Sequence, residues 1–288
     1  MNRFGVCDWY MLTPGPSAIR QAAQLGCGSV QISDLGGMTR NYPLRDPRIR
    51  EEYREAAERE NIRLSALHCT GLYSTPGMQC AKGSARSEAA AEEFRLGLEV
   101  CRALDIPVIT LASARDASCS NDEEFRNTAR FLKDMTGPAR DAGVEIAYEH
   151  FCPEDKLLWL FDYVGEGMRL AFDSQNAVRD GFGDPIEVIR RLGVEQFSFV
   201  HLKDTPADRK GCAPLGRGIC RVGEQLRLIL EAGYSGAFYE ENNVFLPPLC
   251  YEGPGLDLAA ADLAFVRQAI LEWEQGQSPQ KTAESRRH

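Results

Sequence analysis

Short apolar or β-branched runs alternate along the chain with longer stretches in which apolar residues recur every three to four positions. The short runs fit strands and the long ones amphipathic helices, and their strict alternation is the pattern of a parallel sheet with crossover helices. Strands are predicted at Arg3–Asp8, Ser29–Ser33, Arg63–His68, Val108–Ala112, Glu145–Glu149, Arg169–Asp173, Phe197–Leu202 and Ala237–Glu241. Helices are predicted over Ser17–Leu25, Ile49–Glu60, Glu88–Leu104, Glu123–Ala142, Asp155–Val164, Pro185–Leu192, Glu224–Ala232 and Leu258–Glu274. Eight such units predict an α/β chain folded as a single-domain (β/α)8 TIM barrel over residues 1–274.

The joints carry local signals. Asn121 before Asp122, Glu123 and Glu124 reads as an N-cap with acids in the first helical turn, where they complement the helix dipole. Gly26, Gly143, Gly193 and Gly233 follow helix ends and predict left-handed C-caps. Thr70–Arg86, rich in Gly, Ser and Ala, reads as a long loop on the face where barrel sites lie, and the polar stretch Gln275–His288 as a flexible tail.

Composition narrows the function classes. A hydrophobic fraction of 43% and a charged fraction of 26% are those of a globular protein with ample core material. A net charge of −9 argues against nucleic acid, whose binding needs clustered Lys and Arg. No apolar run approaches the roughly 20 residues of a membrane span, and the N-terminus lacks a secretory apolar run, so a cytoplasmic location is expected. The 10 cysteines are scattered without a C-x-x-C pair and are expected to be free, mostly buried thiols.

Candidate chemistry lies where apolar parallel strands end in polar residues, because those ends converge on one mouth of a barrel. Strand five ends in Glu149, strand six in Asp173, and strand seven carries His201 near its end. Strand eight ends in Glu240 and Glu241, which alternation sends to opposite faces. Consecutive strands are barrel neighbours, so four such side chains can meet. Three carboxylates and an imidazole form a mainly oxygen donor set for one divalent ion, Mn2+, Mg2+, Co2+ or Zn2+, with the hard ions favoured over a structural zinc.

His201-Leu202-Lys203-Asp204-Thr205, then Gly216-x-Gly218, then Gly233-Tyr234-Ser235-Gly236 with Glu241 five residues on, closely resemble the C-terminal half of the xylose isomerase-like sugar isomerase/epimerase superfamily. Asp173-Ser174-Gln175-Asn176 followed by the HLKDT run looks most like its L-xylulose or L-ribulose 5-phosphate 3-epimerase branch. The resemblance is dense over Glu145–Glu241 and diffuse before Asp141. It implies that Glu149, Asp173, His201 and Glu241 bind the metal, with Glu241 favoured over Glu240 by the G-Y-x-G-x4-E spacing. It also implies that Glu149 and Glu241 exchange protons with a small ketose or ketose phosphate through a cis-enediolate. Rival activities are a metal-dependent lyase or dehydratase, an apurinic-endonuclease-like barrel and a non-catalytic sugar-binding barrel. The superfamily is often dimeric or tetrameric, and no interface pattern stands out here.

Three positions depart from the family pattern: Asn176 where a histidine is common, Gln31 where a strand-two glutamate is frequent, and Ile219-Cys220-Arg221 where acids often follow the Gly-x-Gly. His68 at the end of strand three, Asn176, Arg209 and Arg217 are the candidate substrate contacts, with Lys210 a third loop cation beside the two arginines. His150 should point away from the axis by alternation. Lys203 and Asp204 are candidates either to support the metal ligands from behind or to brace the strand-seven loop.

Overall fold

The computed structural model describes residues 3–13, 15–33, 42–115 and 118–276. Eight strands run in chain order: β1 (Phe4–Cys7), β2 (Ser29–Ser33), β3 (Arg63–His68), β4 (Val108–Ala112), β5 (Glu145–Glu149), β6 (Met168–Asp173), β7 (Phe197–Leu202) and β8 (Ala237–Glu240). All pair in parallel, each with its sequence neighbour, and β1 closes on β8. The closed (β/α)8 barrel expected from the alternation is therefore present. The helices are α1 (Pro16–Gln24), α2 (Pro47–Glu60), α3 (Thr70–Ser74), α4 (Ala85–Ala103), α5 (Asp122–Ala142), α6 (Glu154–Val164), α7 (Asn176–Asp180), α8 (Pro185–Leu192), α9 (Val222–Glu231) and α10 (Gly255–Gly276).

Strand alternation separates two apolar regions. Ile146 and Tyr148 of β5, Leu170 and Phe172 of β6, Val200 and Leu202 of β7 and Phe238 of β8 belong to the large core that also takes in the helices. Their neighbours Ala147, Ala171, Phe199 and Tyr239 join Cys7 and Ala66 in a small cluster within the barrel. Alanine on three of these strands leaves room for the Phe199 and Tyr239 rings, packed edge to face at 5.5 Å, so the lumen is a filled floor. The next inward positions toward the mouth carry the polar side chains.

Departures from the sequence expectations are local. β1 lacks Arg3 and Asp8, and β8 stops at Glu240, although Glu241 N still donates to Leu202 O at 3.1 Å and extends the ladder by one bond. Thr70–Arg86 is not loop throughout: it contains α3 and the start of α4. Short α7 follows β6 unannounced, because its five residues carry too little periodicity. Asn121 caps α5 as expected, accepting from Glu124 N at 3.0 Å, and Gly143 takes the left-handed cap at φ 70° and ψ 25°. Gly193 does not: its φ of 85° comes with an extended ψ of 148°, because the chain leads directly into a 3-10 turn at Val194–Gln196. Of the predicted tail Gln275–His288, Gln275 and Gly276 continue α10, and the rest lies outside the described residues.

All 10 cysteines are free. Burial pushes the Cys27 and Cys152 thiols up to about 12, which leaves them unreactive packing groups. Among the described residues no helix is long and apolar enough to cross a membrane.

Candidate active site and metal centre

Glu149, Asp173, His201 and Glu241 meet at the C-terminal mouth, each offering one ligand atom, and these atoms all lie within 4.8 Å of one another. All four residues are buried. The register explains the meeting, since Asp173 on β6 lies directly opposite His201 on β7, and His201 opposite Tyr239, two residues before Glu241. Glu240 faces the helical layer instead. Its Oε1 accepts from Asn242 N at 3.0 Å, and burial followed by the nearby Asp262 carboxylate on α10 pushes its carboxyl well up.

Three of the four residues have one polar atom held by a protein donor or acceptor and a second aimed at the centre. Asp173 Oδ1 accepts from Gln175 N at 2.8 Å and Asn176 N at 2.6 Å, the first turn of α7. Trp9 Nε1 donates to Glu241 Oε1 at 3.0 Å. His201 Nε2 donates to Gln31 Oε1 at 2.9 Å, so Nδ1 is the ring nitrogen turned to the centre. The second atoms, Asp173 Oδ2, Glu241 Oε2 and His201 Nδ1, are buried; Nδ1 and Oε2 stand 2.8 Å apart, and the Lys203 ammonium stands 2.8 Å from Asp173 Oδ2 and 3.0 Å from Glu241 Oε2. The fourth residue, Glu149, accepts at Oε1 from Asn176 Nδ2 at 2.6 Å. Three buried carboxylates exceed the charge of the one Lys203 ammonium set among them, and with the imidazole they make a mainly oxygen set that fits a divalent cation.

The two glutamates differ electrostatically. Burial pushes Glu149 up to about 7, with Lys203 opposing from 3.9 Å. Burial acts on Glu241 in the same direction, but His201 and the closer Lys203 ammonium, 3.0 Å away, more than offset it and hold the carboxyl below its usual range. Burial pulls His68 and His150 down to about 4, so both are neutral near pH 7.

Above this cluster opens a cavity of about 390 Å³, within the range of small-molecule sites. His68, Asn176, Glu149 and Glu241 border it, as do Lys203 and residues that strand-end reasoning passed over: Trp9, Tyr10, Tyr73, Arg115 and Arg179. His68 packs against Trp9, with ring centroids 5.0 Å apart and planes tilted by 37°. His150 packs on Phe182 and does not border the cavity.

The cations at the mouth are not those the sequence suggested. Arg209, Lys210 and Arg217 lie on the strand-seven loop and do not border the cavity. Arg115 and Arg179 do. Arg115 Nε donates to Tyr73 Oη at 2.9 Å, while Arg179 holds Asp180 through two bonds of 2.8 Å. Trp9, Arg115 and Arg179 all follow strand C-termini, a position that Arg209 shares and that therefore does not rank the arginines.

Asp204 braces the loop and touches none of the four clustered residues. Its Oδ1 accepts from Thr205 N at 2.9 Å and Cys220 N at 3.0 Å, and its Oδ2 from Gly216 N and Gly218 N at 3.0 Å each. A Cβ at Gly218 would stand 2.2 Å from Asp204 Oδ1, which accounts for the second glycine of Gly216-x-Gly218. Asp204→Ala strands these backbone donors and is expected to destabilise the fold by about 2–4 kcal/mol in urea titrations. Asp204→Asn, which keeps one carbonyl oxygen, should cost less.

A family model described as a xylose isomerase-like TIM barrel matches residues 19–269. A curated 2-epi-5-epi-valiolone 7-phosphate 2-epimerase from an Actinoplanes species is 28% identical over 222 residues, which cover 75% of this chain and 77% of that protein. Among solved structures, a D-tagatose 3-epimerase-like protein superposes with a TM-score of 0.76 at 18% identity, covering 96% of this chain and 100% of the other. The IolI protein, solved with a bound zinc atom, gives 0.74 at 16% identity over 94% and 99%. At such identities the structural matches speak to the fold.

Proposed function

The chain belongs to the xylose isomerase-like TIM barrel family, and on that footing we propose that it is a divalent-metal-dependent isomerase or epimerase of a small ketose or ketose phosphate. The observation that carries this reading is the four-residue cluster below the cavity, in which two glutamates, one ending β5 and one just past β8, border the space a substrate would enter. The epimerase activity named for the Actinoplanes relative agrees with it.

Glu149, Asp173, His201 and Glu241 would hold the ion. A bound divalent ion supplies Lewis acidity, which polarises a ketose carbonyl and acidifies the neighbouring C–H. The remaining work falls to side chains. Glu149 and Glu241 approach from different strands, so one carboxylate removes the α-proton and the other returns a proton to the opposite face of the planar cis-enediolate, inverting the carbon. Transfer along one face would instead exchange aldose and ketose. Asn176 and Trp9 fix the two carboxylates by hydrogen bonds of 2.6 and 3.0 Å, and the Trp9 and His68 rings wall the cavity.

A phosphorylated substrate would place its dianion against Arg115 and Arg179; Arg115 spends Nε on Tyr73 and keeps its Nη groups for phosphate oxygens, while Arg179, paired with Asp180, adds positive charge. Arg115→Ala is then expected to raise KM for a ketose phosphate about 10-fold or more, with little change for the free ketose. The same measurement on Arg217→Ala should show no effect. Equal KM values for both sugars, unmoved by Arg115→Ala, would identify a free-sugar enzyme.

The activity itself is tested by incubating the metal-loaded protein with a panel of ketoses and ketose phosphates in D2O and following the products by NMR. The expected result is an epimer or aldose carrying deuterium at the reacting carbon. A dehydrated product would make the protein a lyase, and no exchange into any sugar would reject both activities.

A further inference from the structure

Between the two proposed proton carriers stands a cation that neither metal binding nor proton transfer requires. Lys203 lies two residues beyond His201 on the inward-facing side of the strand and is 5% exposed. Its backbone is clamped by Ser174: Lys203 N donates to Ser174 Oγ at 2.8 Å, and Ser174 Oγ donates to Lys203 O at 2.6 Å. The ammonium lies 2.8 Å from Asp173 Oδ2, 3.0 Å from Glu241 Oε2 and 3.9 Å from Glu149 Oε1. The residue also borders the cavity.

We propose that Lys203 is a catalytic residue whose ammonium donates a hydrogen bond to the substrate oxygen that gains negative charge as the α-proton leaves. The inference rests on the reading that Glu149 and Glu241 handle that proton. A carbon within reach of both carboxylates must sit beside an ammonium placed between them, and the oxygen on that carbon or its neighbour meets the nitrogen. An ammonium has three N–H groups, so two carboxylate oxygens at 2.8 and 3.0 Å leave one for the substrate.

The step balances without a further reactant. The α-proton moves to a glutamate carboxylate, the C–H electron pair forms the carbon–carbon double bond, and the carbonyl π pair moves onto oxygen. Lys203 keeps all its protons and stabilises that oxygen, and reprotonation reverses the flow. A preorganised charged donor in a buried site acts most strongly where charge develops, and losing one such donor typically costs 10²–10³-fold in turnover. A lysine serving only as counter-ion to Asp173 would need no place on the cavity wall.

The test uses the full-length protein loaded with Mn2+, as wild type, Lys203→Met and Lys203→Gln. Glycolohydroxamate, a planar molecule with two adjacent oxygens that mimics an enediolate, serves as the binding probe in calorimetry, beside Mn2+ affinity and ketose turnover. The proposal expects Lys203→Met to weaken the probe by about 10- to 100-fold and to lower kcat by about 10²–10³-fold, with Mn2+ bound as before, and Lys203→Gln to recover part of both losses. Probe binding and kcat unchanged in Lys203→Met would overturn it, as would losses that only follow weaker Mn2+ binding. Should the wild type turn over no ketose, the functional reading fails separately, and the hydroxamate comparison still decides whether Lys203 holds such an oxygen. A wild type that binds no hydroxamate overturns both.

Discussion

Glu149→Gln and Glu241→Gln are each expected to lower turnover by roughly 10²–10⁴-fold, the usual loss when a general base is removed. Glutamine keeps the shape and a carbonyl oxygen for the ion but accepts no proton. Asn176 Nδ2 and Trp9 Nε1 donate to the two carboxylates at 2.6 and 3.0 Å; with its one carbonyl oxygen kept on the ion, glutamine gives up such a bond, because its NH2 group accepts none. Binding of metal and substrate should still survive better than rate. The partial reaction adds resolution: a variant lacking only the reprotonating group should still exchange the α-proton with D2O while failing to epimerise. Steady-state rates and NMR exchange on the same samples check both statements, and near-normal turnover in both variants would move the proton chemistry elsewhere, with His68 at the cavity wall the next candidate.

The second large effect concerns the ion. His201→Ala removes the single nitrogen ligand and should reduce Mn2+ affinity by more than the roughly 10- to 100-fold that loss of an outer hydrogen-bond partner costs. Asp173→Ala should do the same and also release the start of α7, since Gln175 N just before it and Asn176 N at its first residue rest on Asp173 Oδ1 at 2.8 and 2.6 Å. His201→Ala is accordingly the cleaner variant. Glu240→Gln provides the control, since that carboxyl faces the helical layer and its affinity for Mn2+ should match the wild type. Titration of Mn2+ followed by electron paramagnetic resonance measures all of these, and retained affinity in His201→Ala would remove the imidazole from the ion.

The barrel was legible because its strands carry two kinds of information at once. In Ile146-Ala147-Tyr148-Glu149 the outward pair is bulky and apolar while the inward pair is small and then charged, and β6 repeats the arrangement as Leu170-Ala171-Phe172-Asp173. One alternation thus predicted the strand, its direction and the side chains at the mouth. Alternation only set Glu240 and Glu241 on opposite faces, and choosing Glu241 needed the G-Y-x-G-x4-E spacing of the family resemblance. What alternation cannot reach is the chain between elements. Arg115 and Arg179 sit after strand ends in segments without period, where spacing fixes no direction, so Arg209 and Arg217 were indistinguishable from them before the cavity was seen. Of the two roles open to Asp204, bracing the strand-seven loop is the one its hydrogen bonds serve; spacing alone did not separate it from support of the metal site, because those bonds run to backbone N–H groups as far along the chain as Cys220. Lys203 shares inward parity with His201, and its place among three carboxylates depends on side-chain reach that sequence does not encode.

The central claim is that the four clustered residues hold one catalytic ion beside the substrate. A crystal soaked with Mn2+ and a ketose, measured near the manganese absorption edge, tests it most directly. The expected result is a single anomalous peak about 2.0–2.2 Å from one atom each of Glu149, Asp173, His201 and Glu241, with sugar oxygens completing its coordination. A peak on the alternative group of Cys7, His201 and Glu241, or none in the barrel mouth, would contradict the account.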